Sequence, residues 1–241
     1  MKRESFLRRV CMISRSTGLP SLGLIILALA GGANASASMI YTNFGAGLSY
    51  DVLDSNPVGN AFDGTGSNYA EGSSFTPGST ANFGSLIIAL SCVAANCPGA
   101  DTVVVSLDAD NSDSPGAVLE SFTVLDSLLG PLGSNNAPLV LTSIVHPALT
   151  SSTRYWVTVS TTFVNDSIAW NLNNTGDVND QANSADGGVT WFSPSGFTPG
   201  AFEVDSVPSG VPEPGSTGLV GGGLLVLLLA KARSEKMARR T

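Results

Sequence analysis

The chain has 241 residues, 11 basic against 19 acidic side chains, and a formal charge of −8. The charge is unevenly placed. Five basic residues precede position 16, five follow position 230, and only Arg154 lies between, where sixteen acidic residues leave Ser38–Gly210 at −15. This excludes nucleic-acid binding through phosphates, which needs clustered Lys and Arg, and the Gly/Ser/Thr/Asn-rich middle excludes a long helical fold with charged faces.

Residues 1–37 are predicted to be a signal peptide. Basic residues up to Arg15 precede an apolar run from Leu19 to Ala30, followed by Ala33-Asn34-Ala35-Ser36-Ala37. A twelve-residue apolar run is too short to span a bilayer, and the small residues match an A-x-A cleavage site, so cleavage is expected after Ala35 or Ala37. Met12 is an alternative start, which would leave Arg15 as the basic residue and discard Cys11. Export makes the remaining pair, Cys92 and Cys97, an expected disulfide. The C-x4-C spacing does not suit a redox C-x-x-C, and one histidine with no second cysteine pair does not suit zinc.

Residues 38–210 are predicted to form one all-β domain, an antiparallel sandwich of jelly-roll type. The lead-in offers strands near Ile40–Phe44 and Ala81–Ile87. Further strands are expected at Ser85–Cys92, Thr102–Leu107, Val118–Leu125, Leu139–Val145, Arg154–Phe163, Ser167–Leu172, Val189–Phe192 and Ala201–Val207. Pro-Gly and Gly-Pro pairs separate several of them. In Arg154–Phe163, Tyr155, Val157 and Val159 alternate with Trp156, Thr158 and Ser160, which predicts a strand with two distinct faces.

No catalytic constellation stands out. His146 is the only histidine, it precedes Pro147 at a strand end, and no serine sits in G-x-S-x-G. The chain is therefore expected to be no enzyme, a secreted hydrolase being the third-ranked reading. Calcium is the one cofactor considered. Asp108, Asp110 and Asp113, and the stretch from Asn173 to Asp180, are dense in oxygen ligands, although turn chemistry uses the same residues and the EF-hand glycine and glutamate are missing. Trp156, Trp170 and Trp191 are candidates for a stacking platform, which makes a carbohydrate-binding module for exopolysaccharide the second-ranked reading.

The C-terminus, 211–241, has three ordered parts: Val211-Pro212-Glu213-Pro214, an apolar stretch within 216–230, and a basic tail at 231–241. The prolines hold Glu213 in an extended segment. As a helix, 216–230 reaches only ~22 Å against ~30 Å of hydrocarbon, and Gly221-Gly222-Gly223 weakens it further. It is expected to act as a temporary tether, with the tail cytoplasmic by the positive-inside rule.

This ordered set, with a signal peptide ahead of it, resembles the PEP-CTERM proteins. The resemblance covers Val211 to Arg240. It implies recognition by an exosortase, which would cleave near Pro212-Glu213-Pro214, after export by the secretion machinery. It also implies a Gram-negative host and a final place at the cell surface or in an exopolysaccharide matrix. Between about Tyr41 and Asp205, the succession of Phe75-Thr76-Pro77, Leu86–Leu90, Val105–Leu107, Pro115-Gly116-Ala117-Val118-Leu119-Glu120, Leu149-Thr150 with Thr153, and Tyr155–Val159 is similar to the choice-of-anchor R domain. That resemblance implies an extracellular β-rich module and a location more than an activity. The leading expectation is a non-catalytic exported surface or matrix protein.

Overall fold

In the computed structural model the described residues are 37–60, 66–93, 101–162 and 167–208. They fold as β-structure: β1 (Met39–Thr42), β2 (Ser55–Gly59), β3 (Ala70–Phe75), β4 (Ala81–Ile88), β5 (Leu90–Cys92), β6 (Thr102–Asp110), β7 (Pro115–Leu125), β8 (Gly130–Pro131), β9 (Leu139–Thr142), β10 (Ala148–Leu149), β11 (Tyr155–Thr161), β12 (Ser167–Asn171), β13 (Gln181–Ser184) and β14 (Phe202–Ser206). One 3-10 turn, Asp126–Leu128, follows β7, and no α-helix occurs among the described residues. The signal-peptide segment with Ala35, the sorting motif and the predicted C-terminal helix lie outside the described residues; Ala37 is the first residue inside them.

Three sheets form. The first runs β13-β3-β11-β6-β7; the second runs β1-β14-β4-β10, with β9 also on β4; the third runs β2-β12-β5-β8. Pairing is antiparallel except between β5 and the two-residue β8. The second and third sheets meet at Ala89, the one residue between β4 and β5. Its N–H donates to Ala201 O at 3.1 Å and its carbonyl accepts from Asn171 N at 3.0 Å.

The larger of two apolar clusters among the described residues takes side chains from all three sheets, among them Val105, Leu107, Val157 and Val159 from the first, Phe83, Leu86 and Phe202 from the second, and Val58, Ile168 and Trp170 from the third; the smaller gathers Phe44, Tyr50, Ala89 and Ala201. Rings bind the sheets together. Tyr41 lies 5.1 Å from Phe202 and 5.5 Å from Phe75, and Phe202 lies 6.0 Å from Trp170. Burying such side chains is the main favourable term in folding, at ~1.5–3 kcal/mol each.

The predicted alternation in β11 holds on its inner face. Tyr155, Val157 and Val159 enter this core, each opposite a β6 residue: Ala109, Leu107 and Val105. The other face is also covered, so Trp156 is fully buried rather than exposed. Three expectations need correction. Val189–Phe192 is not a strand: Gly187 and Gly188 take left-handed φ of 73° and 92°, and only Phe192 makes an isolated bridge, to Asn183. The strand expected over Leu139–Val145 ends at Thr142. The apolar run Ser85–Cys92 is split at Ala89 between two sheets.

Strands β2, β3, β8, β10 and β13 form where no strand was expected. β2 contains Pro57, which an edge strand tolerates because its missing N–H faces away from the ladder. β3 reads Ala-Glu-Gly-Ser-Ser-Phe and is buried throughout. Small residues are required there: a Cβ on Gly72 would stand 3.1 Å from Ala182 Cβ and 3.3 Å from Pro115 Cγ.

Candidate functional site

The sequence candidates separate in space. Asp108 is 3% exposed and points to the same side as Thr158, whose hydroxyl donates to its Oδ2 at 2.8 Å; its Oδ1 has no hydrogen-bond partner. Burial pushes the Asp108 pKa up to about 6, against the lowering effect of the Thr158 bond. Asp110 accepts the indole N–H of Trp156 at 2.8 Å. Asp113 pairs with Arg154, whose second guanidinium nitrogen reaches Asp180 at 3.0 Å.

The two acidic loops chosen as calcium candidates are thus bridged by the one basic side chain in the acidic stretch. Arg154 supplies a positive charge between them from the entrance of β11. Among the described residues no group of three or more His, Cys, Asp or Glu is arranged to hold a metal ion. In the Asn173–Asp180 stretch the remaining polar groups satisfy the fold: Asn173 Nδ2 donates to Pro199 O at 3.1 Å, and Asp177 accepts the Tyr41 hydroxyl at 3.0 Å. Burial, with Asp177 beside it, pushes the Tyr41 pKa above the ordinary phenol range.

The proposed platform of three tryptophans does not assemble. Trp156 and Trp170 are fully buried, and Trp170 donates to Ala201 O at 3.3 Å. Both are core residues because each indole N–H finds an acceptor inside the fold, which removes the cost of burying it. Trp191 alone is half-exposed.

His146 is exposed, has φ of 53°, and its Nδ1 donates to Phe83 O at 3.0 Å. Ser143 and Glu120 lie beside it, and their roles are those of a turn cap. Ser143 Oγ donates to Glu120 Oε2 at 2.5 Å and accepts the His146 backbone N–H at 2.9 Å. Glu120 Oε1 accepts Ile144 N at 2.6 Å and Val145 N at 3.1 Å. Burial pushes the Glu120 pKa up, but these bonds outweigh it and hold the group below its usual range. A serine nucleophile would need its proton directed at an imidazole nitrogen; here a carboxylate takes it, on a buried serine. This cap also stops the strand at Thr142.

Cys92 ends β5 and is disulfide-bonded; Cys97 lies outside the described residues.

Two further features are brought out by no spacing along the chain, although Trp191 of the second was a sequence candidate. Glu71 in β3 is 4% exposed, sits opposite Val159 and Asn183, and has an Oε2 without a hydrogen-bond partner. Burial pushes its pKa up to about 8. The second feature is a surface cleft of about 350 Å³, lined chiefly by Tyr69, Asn183, Ser184, Thr190, Trp191 and Phe192.

The cleft is built by the loop after β13. Ser184 Oγ accepts the N–H groups of Asp186 (3.2 Å) and Gly188 (2.8 Å) and donates to Asp186 Oδ1 at 2.7 Å. Asp186 in turn accepts the Thr190 N–H at 2.9 Å and the Thr190 hydroxyl at 2.7 Å. Hydrogen bonds from Ser184 and Thr190 push the Asp186 pKa down to about 2, so it is ionised at neutral pH. Trp191 leans on the bare backbone of Gly188, where a Cβ would meet the ring at 3.2 Å. Phe192 stays 71% exposed.

No family model and no curated protein sequence matches the chain.

Proposed function

We propose that this chain is an exported, non-catalytic surface or matrix protein that an exosortase sorts through Val211-Pro212-Glu213-Pro214. The observation that carries this reading is the ordered C-terminal set of Pro-Glu-Pro motif, short glycine-broken apolar stretch and basic tail, opposite an N-terminal segment with the three regions of a signal peptide. In the wider reading the chain passes the inner membrane of a Gram-negative bacterium, is tethered through 216–230 during processing, and is then released to the surface or matrix. The domain between the two addresses is suited to that place. It is an all-β unit with many acidic groups, which repel one another between molecules and favour solubility outside the cell.

Its finer architecture we take as a jelly-roll-like sandwich. The sheet β13-β3-β11-β6-β7 is one layer, and the two sheets joined at Ala89 are the other. The shared core and the ring contacts of Tyr41, Phe75 and Phe202 between strands of different sheets support this.

Mass spectrometry of the mature C-terminus from native cells tests the sorting. Cleavage near Pro212–Pro214 is the expected result. A mature protein that keeps Lys231–Thr241 intact would overturn it.

A further inference from the structure

We propose that the cleft between Tyr69, Trp191 and Phe192 is a binding subsite for a neutral polysaccharide chain. This goes beyond sorting and location, and it does not depend on how the chain is anchored.

Three observations lead there. The first is an exposed aromatic surface in a fixed loop. Phe192 at 71% and the neighbouring Val189 at 79% exposure hold apolar surface in water, which a folded domain would otherwise cover. The loop beneath them is tied by five hydrogen bonds that involve the Ser184 and Asp186 side chains and needs two left-handed glycines. A surface held in one geometry before contact loses little conformational freedom on binding.

The second is the pairing of rings with free polar groups. Neither the Trp191 indole N–H nor the Asn183 side-chain amide has a hydrogen-bond partner among the described residues. A pyranose presents an apolar C–H face and a rim of hydroxyls. The rings receive the face, and the indole N–H and amide meet the rim. The volume, about 350 Å³, lies at the small end of small-molecule sites, ~300–1,000 Å³. That suits one or two sugar rings of a chain that continues past the open side.

The third is charge. No lining residue is cationic, the acidic stretch carries −15, and Asp186 stays ionised at the lip. An anionic glycan would meet repulsion with no compensating partner. Phe192 N–H and C=O are both already bonded to Asn183, at 2.9 and 2.8 Å, so neither is left for a ligand. What the loop offers beside the bonded Phe192 backbone is ring and amide.

The test titrates the purified full chain with neutral hexasaccharides (cellohexaose, laminarihexaose, mannohexaose) and, as the charged arm, hexagalacturonate. Trp156 and Trp170 are buried, so a change in tryptophan fluorescence reports on Trp191; calorimetry gives the affinity. At least one neutral hexasaccharide is expected to bind and shift the emission. Trp191→Ala is expected to abolish both signals. Phe192→Ser and Asn183→Ala, exposed and half-buried positions that leave the core intact, should each weaken binding roughly tenfold. Binding unchanged in Phe192→Ser and Asn183→Ala would overturn the proposal. So would hexagalacturonate binding as tightly as the best neutral chain, or no neutral chain binding at all.

Discussion

Replacing Glu71 by Gln should change how stability depends on pH, with a sign and window set by its burial. Glu71 is 4% exposed, and no hydrogen bond reaches its Oε2. Below pH 4.5 it is protonated in both the folded and the unfolded chain, and Glu71 takes nothing from the stability of the native state. Between 4.5 and about 8 the unfolded chain releases the proton while the native chain keeps it. Stability therefore falls as pH rises, by ~1.36 kcal/mol for each pH unit across the window, or roughly 5 kcal/mol in all. Above pH 8 the native group ionises too and the loss levels off. An amide of the same shape carries no such cost. Urea midpoints of the purified chain and of Glu71→Gln, compared from pH 4.5 to 9, read the difference. Carboxylates common to both proteins cancel, including Asp108, which titrates at about 6, and Glu203 and Asp205, which burial also raises. The variant should match the parent near pH 4.5 and gain steadily up to pH 8. Parallel curves would show that Glu71 reaches water or a partner in solution, and would refute the reasoning.

Other perturbations test the packing and the acidic loops. Gly200→Ala would drive a Cβ into the Trp170 indole, and overpacking of this kind costs ~1–3 kcal/mol; a denaturant midpoint equal to the parent's would mean the core yields at no cost. Glu120→Ala removes the acceptor for Ser143 Oγ and for the N–H groups of Ile144 and Val145, with an expected loss of ~3 kcal/mol in chemical denaturation; a loss below ~1 kcal/mol would mean that water replaces the carboxylate. Asp110→Ala leaves the buried Trp156 indole N–H without its acceptor and should cost ~1–3 kcal/mol by the same assay. Millimolar calcium is expected to leave the Tm unchanged, because Asp108, Asp110 and Asp113 are engaged with Thr158, Trp156 and Arg154; a rise that Asp108→Ala and Asp110→Ala abolish would restore the calcium reading.

The strands that the sequence revealed are those whose side chains are chosen by burial on a regular face. Thr102–Leu107 and Arg154–Phe163 are rich in β-branched and aromatic residues because each inward position meets an apolar partner across the ladder, as Val157 meets Leu107. The strands it concealed are governed by other constraints. Ala70–Phe75 lies between two strands with both faces covered, so closeness of approach rather than propensity decides its residues, and Gly and Ser read there as a loop. Val189–Phe192 misled in the opposite direction. Its apolar residues serve a hydrogen-bonded loop, with Phe192 left in solvent.

By itself, the sequence determined that all but one of the basic residues lie at the two ends, beside the longest apolar runs, and that the middle is acidic and β-rich, because charge placement and local apolar length are properties of the order of residues alone. Tertiary structure decided which polar and aromatic groups meet. Arg154 and Asp180 are close in sequence to neither Asp113 nor each other, yet they share one ion-pair cluster across two loops. Trp156 and Trp170 became core while Trp191 stayed at a cleft. That choice depends on whether an acceptor for the indole N–H stands nearby in space, which no spacing along the chain records.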